Sequence, residues 1–367
     1  MLARSRTKVG AVALATVVGT LGSAAVAAPA FAGAEHRAPK VSVLARHLEG
    51  PFGIEAVGRH GFVVAENGTG QVTAIGDHGR KHALITGAAG VAGVATDRHH
   101  VYGVLGGPNE EGAPPAGKYA PSTVLRSDWR GHHVKVIADL GRYELRHNPD
   151  GQVQFAEDGT PYDALSNPFS MTMSRYGLLV ADGGANDVLR VNPRTGRVST
   201  FFVPHTVTDV EACLAPEAQS NPGTVGCDPV PTGVAVHRGS VYVSTLGAEA
   251  PGAGRVYKLD ERTGRVQHVW KGLTAPTGVA VAPNGAIYVS EVLYGAPAGE
   301  PPAGFDPSSV GRITKIWHGR QTHAHVTMPT GLDYERGHLY ATAWSIAGML
   351  GIAQAGQVVQ VNPRAFR

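Results

Sequence analysis

Three carboxylates recur at one place in a repeated phrase. Glu66 ends "GFVVAE", Asp182 ends "YGLLVAD" and Glu291 ends "AIYVSE", while Leu105, Thr245 and Ala343 end three sister phrases. Asn167 opens "NPFSMTMS", the segment running up to Asp182. Brought together, Glu66, Asn167, Asp182 and Glu291 would offer the hard oxygen ligands that Ca²⁺ takes, or would hold a polar or cationic ligand. The competing use is local. "AENGTG", "ADGGAND" and "SEVLYG" each place backbone N–H groups within reach, so each acid could cap its own loop. The 17 histidines add little. His99-His100 and His132-His133 fall in turns, and His323 and His325 share one face of "QTHAHV" with no third ligand in view. No nucleophile elbow, HExxH helix, phosphate loop or EF-hand loop is present.

What must position these residues is a repeat. "VPTGVAVHRGSVYVST" at Val230–Thr245, "APTGVAVAPNGAIYVSE" at Ala275–Glu291 and "MPTGLDYERGHLYATA" at Met328–Ala343 are copies of one sentence. The alternation of Val279 and Val281, then Ile287 and Val289, has the period of half-buried strands. "APNGAI" and "DERTGRV" supply the Gly-bearing turns that hairpins need. Six units open at Gly50, Gly90, Asn167, Val230, Ala275 and Met328, and the first five each read as four short strands. That pattern predicts an all-β fold: a six-bladed β-propeller of four-stranded antiparallel blades. The blades fall near 50–87, 88–140, 166–205, 230–273, 274–326 and 327–367. The last unit ends early, at "GQVVQVNPRAFR", so "KVSVLARHL" (Lys40–Leu48) is expected to close the ring as its missing outer strand. Alternatives are a seventh blade built from Gly141–Leu165, or a β-solenoid.

The start of the chain is expected to lie outside that fold. Arg4, Arg6 and Lys8 precede a small-apolar run and an Ala-x-Ala exit at Ala30-Phe31-Ala32, the pattern of a cleaved secretory signal peptide over 1–32. Residues 33–367 then form a single secreted domain. The leader takes three basic residues with it, so the formal +3 falls to 0. No basic stripe suggests nucleic acid, and no later run is apolar for long enough to span a bilayer. Cys213 and Cys227 are the only two cysteines, and in an exported chain they read as a disulfide.

Long insertions are expected on one face. In a propeller, the loop after the second strand and the loop into the innermost strand share the upper face. Gly106–Pro121, Leu246–Gly254, Leu293–Ser309, Trp344–Ala355, Gly141–Leu165 and Thr206–Pro229 all fall there, and lower turns stay short. Long loops on a rigid scaffold commonly carry function.

The repeats resemble bacterial NHL/TolB-like propellers and, more narrowly, the ScyD/ScyE family of exported proteins. The residues that carry the resemblance are "GPFGIEAV…FVVAENGTGQV", "ADLGRYELRHNPDGQ…DALSNPF", "LLVADGGANDVLRVNPRTGRVST" and "PTGVAVAPNGAIYVSE". They extend from about Lys40 to Val361, and the join from "NPDG" to "SNPF" is the most specific. Departures are Gly103-Val104-Leu105, where an acid would stand, and the Cys213–Cys227 loop. The resemblance implies export and a propeller and names no activity. The leading expectation is a non-enzymatic monomer that binds a protein or small-molecule partner through its upper face. The alternative is a Ca²⁺-dependent lactonase or gluconolactonase-like hydrolase, with Glu66, Asn167, Asp182 and Glu291 around a metal in the channel. A third is a purely structural cell-envelope module.

Overall fold

Val63 and Val64 are neighbours in one strand, point to opposite faces of its sheet, and are both fully buried. Val63 packs with Val91, Leu105 and Leu125 of the following sheet, Val64 with Leu48 and Val358 of the preceding one. Every sheet is thus covered on both faces, which requires sheets stacked around a circle. The computed structural model describes residues 40–58, 61–108, 117–162, 165–215, 221–297, 299 and 301–367. The predicted signal peptide, 1–32, lies outside them.

Six four-stranded antiparallel sheets form the ring. The innermost strands are β2 (Pro51–Val57), β6 (Val91–Thr96), β10 (Pro168–Ser174), β14 (Pro231–His237), β18 (Pro276–Val281) and β22 (Leu332–Glu335). Second strands are β3 (Gly61–Glu66), β7 (His100–Leu105), β11 (Gly177–Asp182), β15 (Ser240–Thr245), β19 (Ile287–Glu291) and β23 (His338–Ala343). Third strands are β4 (Gln71–Ile75), β8 (Thr123–Asp128), β12 (Asp187–Val191), β16 (Gly254–Asp260), β20 (Arg312–Trp317) and β24 (Gly356–Val361). Outer strands are β5 (Lys81–Thr86), β9 (Lys135–Asp139), β13 (Val198–Phe202), β17 (Val266–Leu273) and β21 (Arg320–Ala324), with β1 (Val41–Leu48) completing the sixth sheet. Val41 pairs with Val361 and Leu48 with Gly356, so the ring closes through the strand that the sequence places there. A seventh blade is not formed. The 141–165 segment instead contributes one helix, α1 (Leu140–His147), capped by the Asp139 carboxylate at its start and by left-handed Asn148 at its end.

The repeated "PTG" is explained at the axis. The hydroxyl of Thr232 donates to the Pro276 carbonyl of the next blade (2.7 Å), Thr277 to Pro329 (3.1 Å), and Thr330 to Pro51 (3.1 Å) and Phe52 (2.9 Å). These bonds satisfy carbonyls on strand edges that have no further strand to pair with. The glycine that follows lets adjacent innermost strands approach. A Cβ on Gly53 would sit 2.7 Å from the Ala92 carbonyl oxygen, and one on Gly278 would overlap the Thr330 carbonyl oxygen. Gly278→Ala is expected to destabilise the protein by about 2–4 kcal/mol, because backbone rather than a flexible side chain must move. Urea unfolding measures the loss; Gly348→Ala, with no heavy atom near its Cβ and no positive φ, controls for glycine removal as such.

Candidate functional site

The six residues that end the second strands all stand at the upper rim, and each blade secures that rim through backbone. The N–H just past the strand donates to the carbonyl of the residue opening or flanking the innermost strand: Asn67 to Gly50, Gly106 to Gly90, Gly183 to Asn167, Leu246 to Val230, Val292 to Ala275 and Ser345 to Met328. The three acids add a second fastening. Glu66 accepts from the Glu49 N–H (2.9 Å) and the Thr73 hydroxyl (2.5 Å). Glu291 accepts from the Thr274 N–H (2.7 Å), from the Thr314 hydroxyl, and from both arms of the Arg312 guanidinium (2.7 and 3.1 Å). Asp182 accepts from the Ser166 hydroxyl (2.7 Å) and from the N–H groups of Asn167 (2.6 Å) and Ala185 (3.2 Å). All three are at most 3 % exposed.

Asp182 and Asn167 do meet, but Glu66 and Glu291 lie in the first and fifth blades, each with its oxygens occupied by its own loop. The Asn167 side-chain Oδ1 accepts from the Gly107 N–H (2.9 Å). Among the described residues, no three His, Cys, Asp or Glu side chains stand close enough to share a metal ion. His323 takes part in a different chain: its Nδ1 lies 2.9 Å from the Thr314 hydroxyl that also meets Glu291. His325 bonds the Gly311 carbonyl.

Carboxylates also gather in the central channel, where among the described residues only Glu335 has a cationic partner, Arg336. A cavity of about 280 Å³ runs along the innermost strands, and Glu55, Asp333 and Glu335 line it with Thr172, His237 and Tyr334. Phe52 and Phe169, ring centroids 5.4 Å apart, meet in the channel from the first and third blades. Glu55 lies 2.6 Å from the Thr96 hydroxyl of the next blade, and Asp333 accepts the Ala56 N–H at 2.7 Å. Burial pushes the Glu55 carboxyl up to about 8, with Asp333 and Glu335 adding repulsion against the Thr96 bond. Burial likewise pushes Asp333 up to about 6. Sister repeats place Ala95, Ala235 and Ala280 at this level, and that contrast was the sequence signal for the pair.

The insertions are braced from below. Cys213 and Cys227 form the expected disulfide, buried against Val207 and Ala253. Gln152 donates to Asp228 (2.7 Å) and Asn186 to Asp150 (3.2 Å), tying the α1 segment to the disulfide loop and to the third blade. No helix among the described residues is long and apolar enough to cross a membrane.

No known family model and no curated protein matches the chain. Solved structures do. The chain is similar to a luciferin-regenerating enzyme (TM-score 0.53, 10 % identity, covering 89 % of this chain and 96 % of that one). It is similar also to a gluconolactonase from Xanthomonas campestris (0.51, 12 %, 88 % and 89 %). A third is the PQQ-bound aldose sugar dehydrogenase of Streptomyces coelicolor (0.50, 13 %, 87 % and 97 %). At these identities the likeness is one of fold.

A raised carboxyl stabilises the folded state below its unfolded pKa, and that contribution is lost as pH rises through its folded value. For Glu55 the window runs from about 4.5 to about 8. Glu55→Gln keeps the neutral form at every pH. The variant is expected to match the parent near pH 5 and to exceed its stability by roughly 1–3 kcal/mol at pH 9. Urea unfolding across that range checks it, and parallel curves would contradict the burial of this group.

Proposed function

We propose that the chain is an exported, non-enzymatic propeller of the ScyD/ScyE kind that takes a protein partner on its upper face. One observation carries this reading. Of twelve exposed large apolar side chains among the described residues, eight stand on upper-face insertions. Leu145, Val153, Phe155 and Tyr162 belong to the α1 segment, Leu214 and Val225 to the disulfide loop, and Tyr294 and Met349 to loops of the last two blades. Met349 is 70 % exposed. Apolar side chains concentrated on braced loops suit a docking surface, where ordering costs are already met by the fold.

The hydrolase alternative has less support. It needs acids and an amide converging on one ion, and those acids are engaged in fastening their own loops. The likeness to a gluconolactonase supplies a fold and no residue-level match.

The test uses site-specific crosslinking in the exporting cell. Leu214→Ser/Val225→Ser/Met349→Ser is compared with Tyr176→Ser, an exposed apolar residue on a lower turn. Each apolar anchor contributes about 1–2 kcal/mol, so the triple variant is expected to lose a crosslinked partner at least 100-fold. Tyr176→Ser keeps it. Equal yields from both variants would remove the upper face as the binding surface.

A further inference from the structure

Blade 3 breaks a rule that blades 1 and 5 keep. Where Glu66 ends β3, its cross-strand partner is Gln71, whose amide donates to it; where Glu291 ends β19, the partner is Arg312, which pairs with it. Where Asp182 ends β11, the partner is another acid, Asp187. Like charges directly opposed on a sheet repel. Asp182 already draws three donors from its own loop. Asp187 is 0 % exposed, and neither of its carboxylate oxygens has a hydrogen-bond partner. No ion pair among the described residues involves either acid.

The segment that covers this point brings more oxygen to it. Glu144 on α1 is buried, and Asp150 reaches Asn186, the residue beside Asp187. Asn148, at the end of α1, gives its amide N–H to the Gln152 carbonyl and leaves its Oδ1 buried without a donor. The C-terminal end of a helix also carries the negative end of the peptide dipoles. A carboxylate enclosed this way costs several kcal/mol unless something positive joins it.

We propose that Asp187 anchors a Ca²⁺ site between the α1 segment and blade 3, with Asn148 Oδ1 as a further ligand and the carboxylates of Asp150 and Glu144 adding negative charge outside the ion's shell. Ca²⁺ suits the place because it accepts mixed carboxylate, amide, backbone and water oxygens in a flexible shell of 6–8. Three carboxylates do not converge within ion distance in the described residues, so amide, backbone and water oxygens complete the shell. Such a low charge count belongs to the weak class of extracellular calcium modules, with Kd on the order of 0.1–1 mM. The competing occupant is a proton. Burial, then the nearby Asp182, Glu144 and Asp150, holds the Asp187 carboxyl well above the usual range, which is its state when no cation is bound.

Thermal unfolding of the mature protein, stripped with chelator and titrated with CaCl₂ to about 20 mM against NaCl of equal ionic strength, separates the two. The parent Tm is expected to climb with Ca²⁺ and saturate in the stated range. Asp187→Asn should unfold above the parent in chelator, because the enclosed acid is gone, and should show no Ca²⁺ response. Asn148→Ala, which leaves both blade-3 acids in place, should weaken the response at least threefold. A parent that does not respond, or an Asp187→Asn that responds as the parent does, would leave the proton as sole occupant and overturn the site.

Discussion

One antiparallel pairing, β1 on β24, holds the rest of the molecule in place. Stacked sheets bury both faces of each only if the stack has no end, and the sixth sheet ends unless a strand from the other terminus completes it. The pairing joins residues about 320 apart, at a chain-closure cost of roughly 5 kcal/mol. What offsets that cost is collective. Leu48 and Ala45 enter the apolar layer between blades 6 and 1, while Thr330 bonds across the same junction to Pro51 and Phe52. Closure and interblade packing are therefore one event. The upper face inherits its rigidity from it, since every insertion leaves from a strand end fixed by the ring.

The rim shows why the last residue of each second strand is free to vary. A backbone hydrogen bond makes the fastening in all six blades, so the side chain is spared. Leu105 fills an apolar layer between blades. Glu66 and Glu291 add a carboxylate fastening and draw a donor from the neighbouring strand. Asp182 meets an acid there instead, so the same geometry that stabilises two blades leaves an electrostatic debt in a third.

Most of the fold was legible because blades repeat. The "PTG" openings, the "YVS" strand ends and the early stop at "GQVVQV" gave the blade number and the closing strand. The disulfide was legible from the two cysteines, close in sequence behind a leader-like start. Helix α1 was not, since "LGRYELRH" offers only Leu140 and Tyr143 as an apolar face, packed between blades 2 and 3, and is otherwise held by its caps. The candidate site was only half legible. Strand ends were placed correctly, but spacing along a chain cannot tell whether acids on alternate blades turn inward together or each toward its own loop. The channel pair, Glu55 and Asp333, was written as a departure from alanine in sister repeats, a signal visible only once those positions are known to face the axis.

The most direct measurement is hydrogen exchange of the β24 amides in residues 33–367, compared with residues 49–367. With β1 present, the β24 amides should exchange only on global unfolding. Without it, they should lose protection together with the innermost strands of blades 1 and 6, and the protein should associate through the bared edge. Unchanged protection of β24 in the shortened chain would contradict a ring closed by that strand.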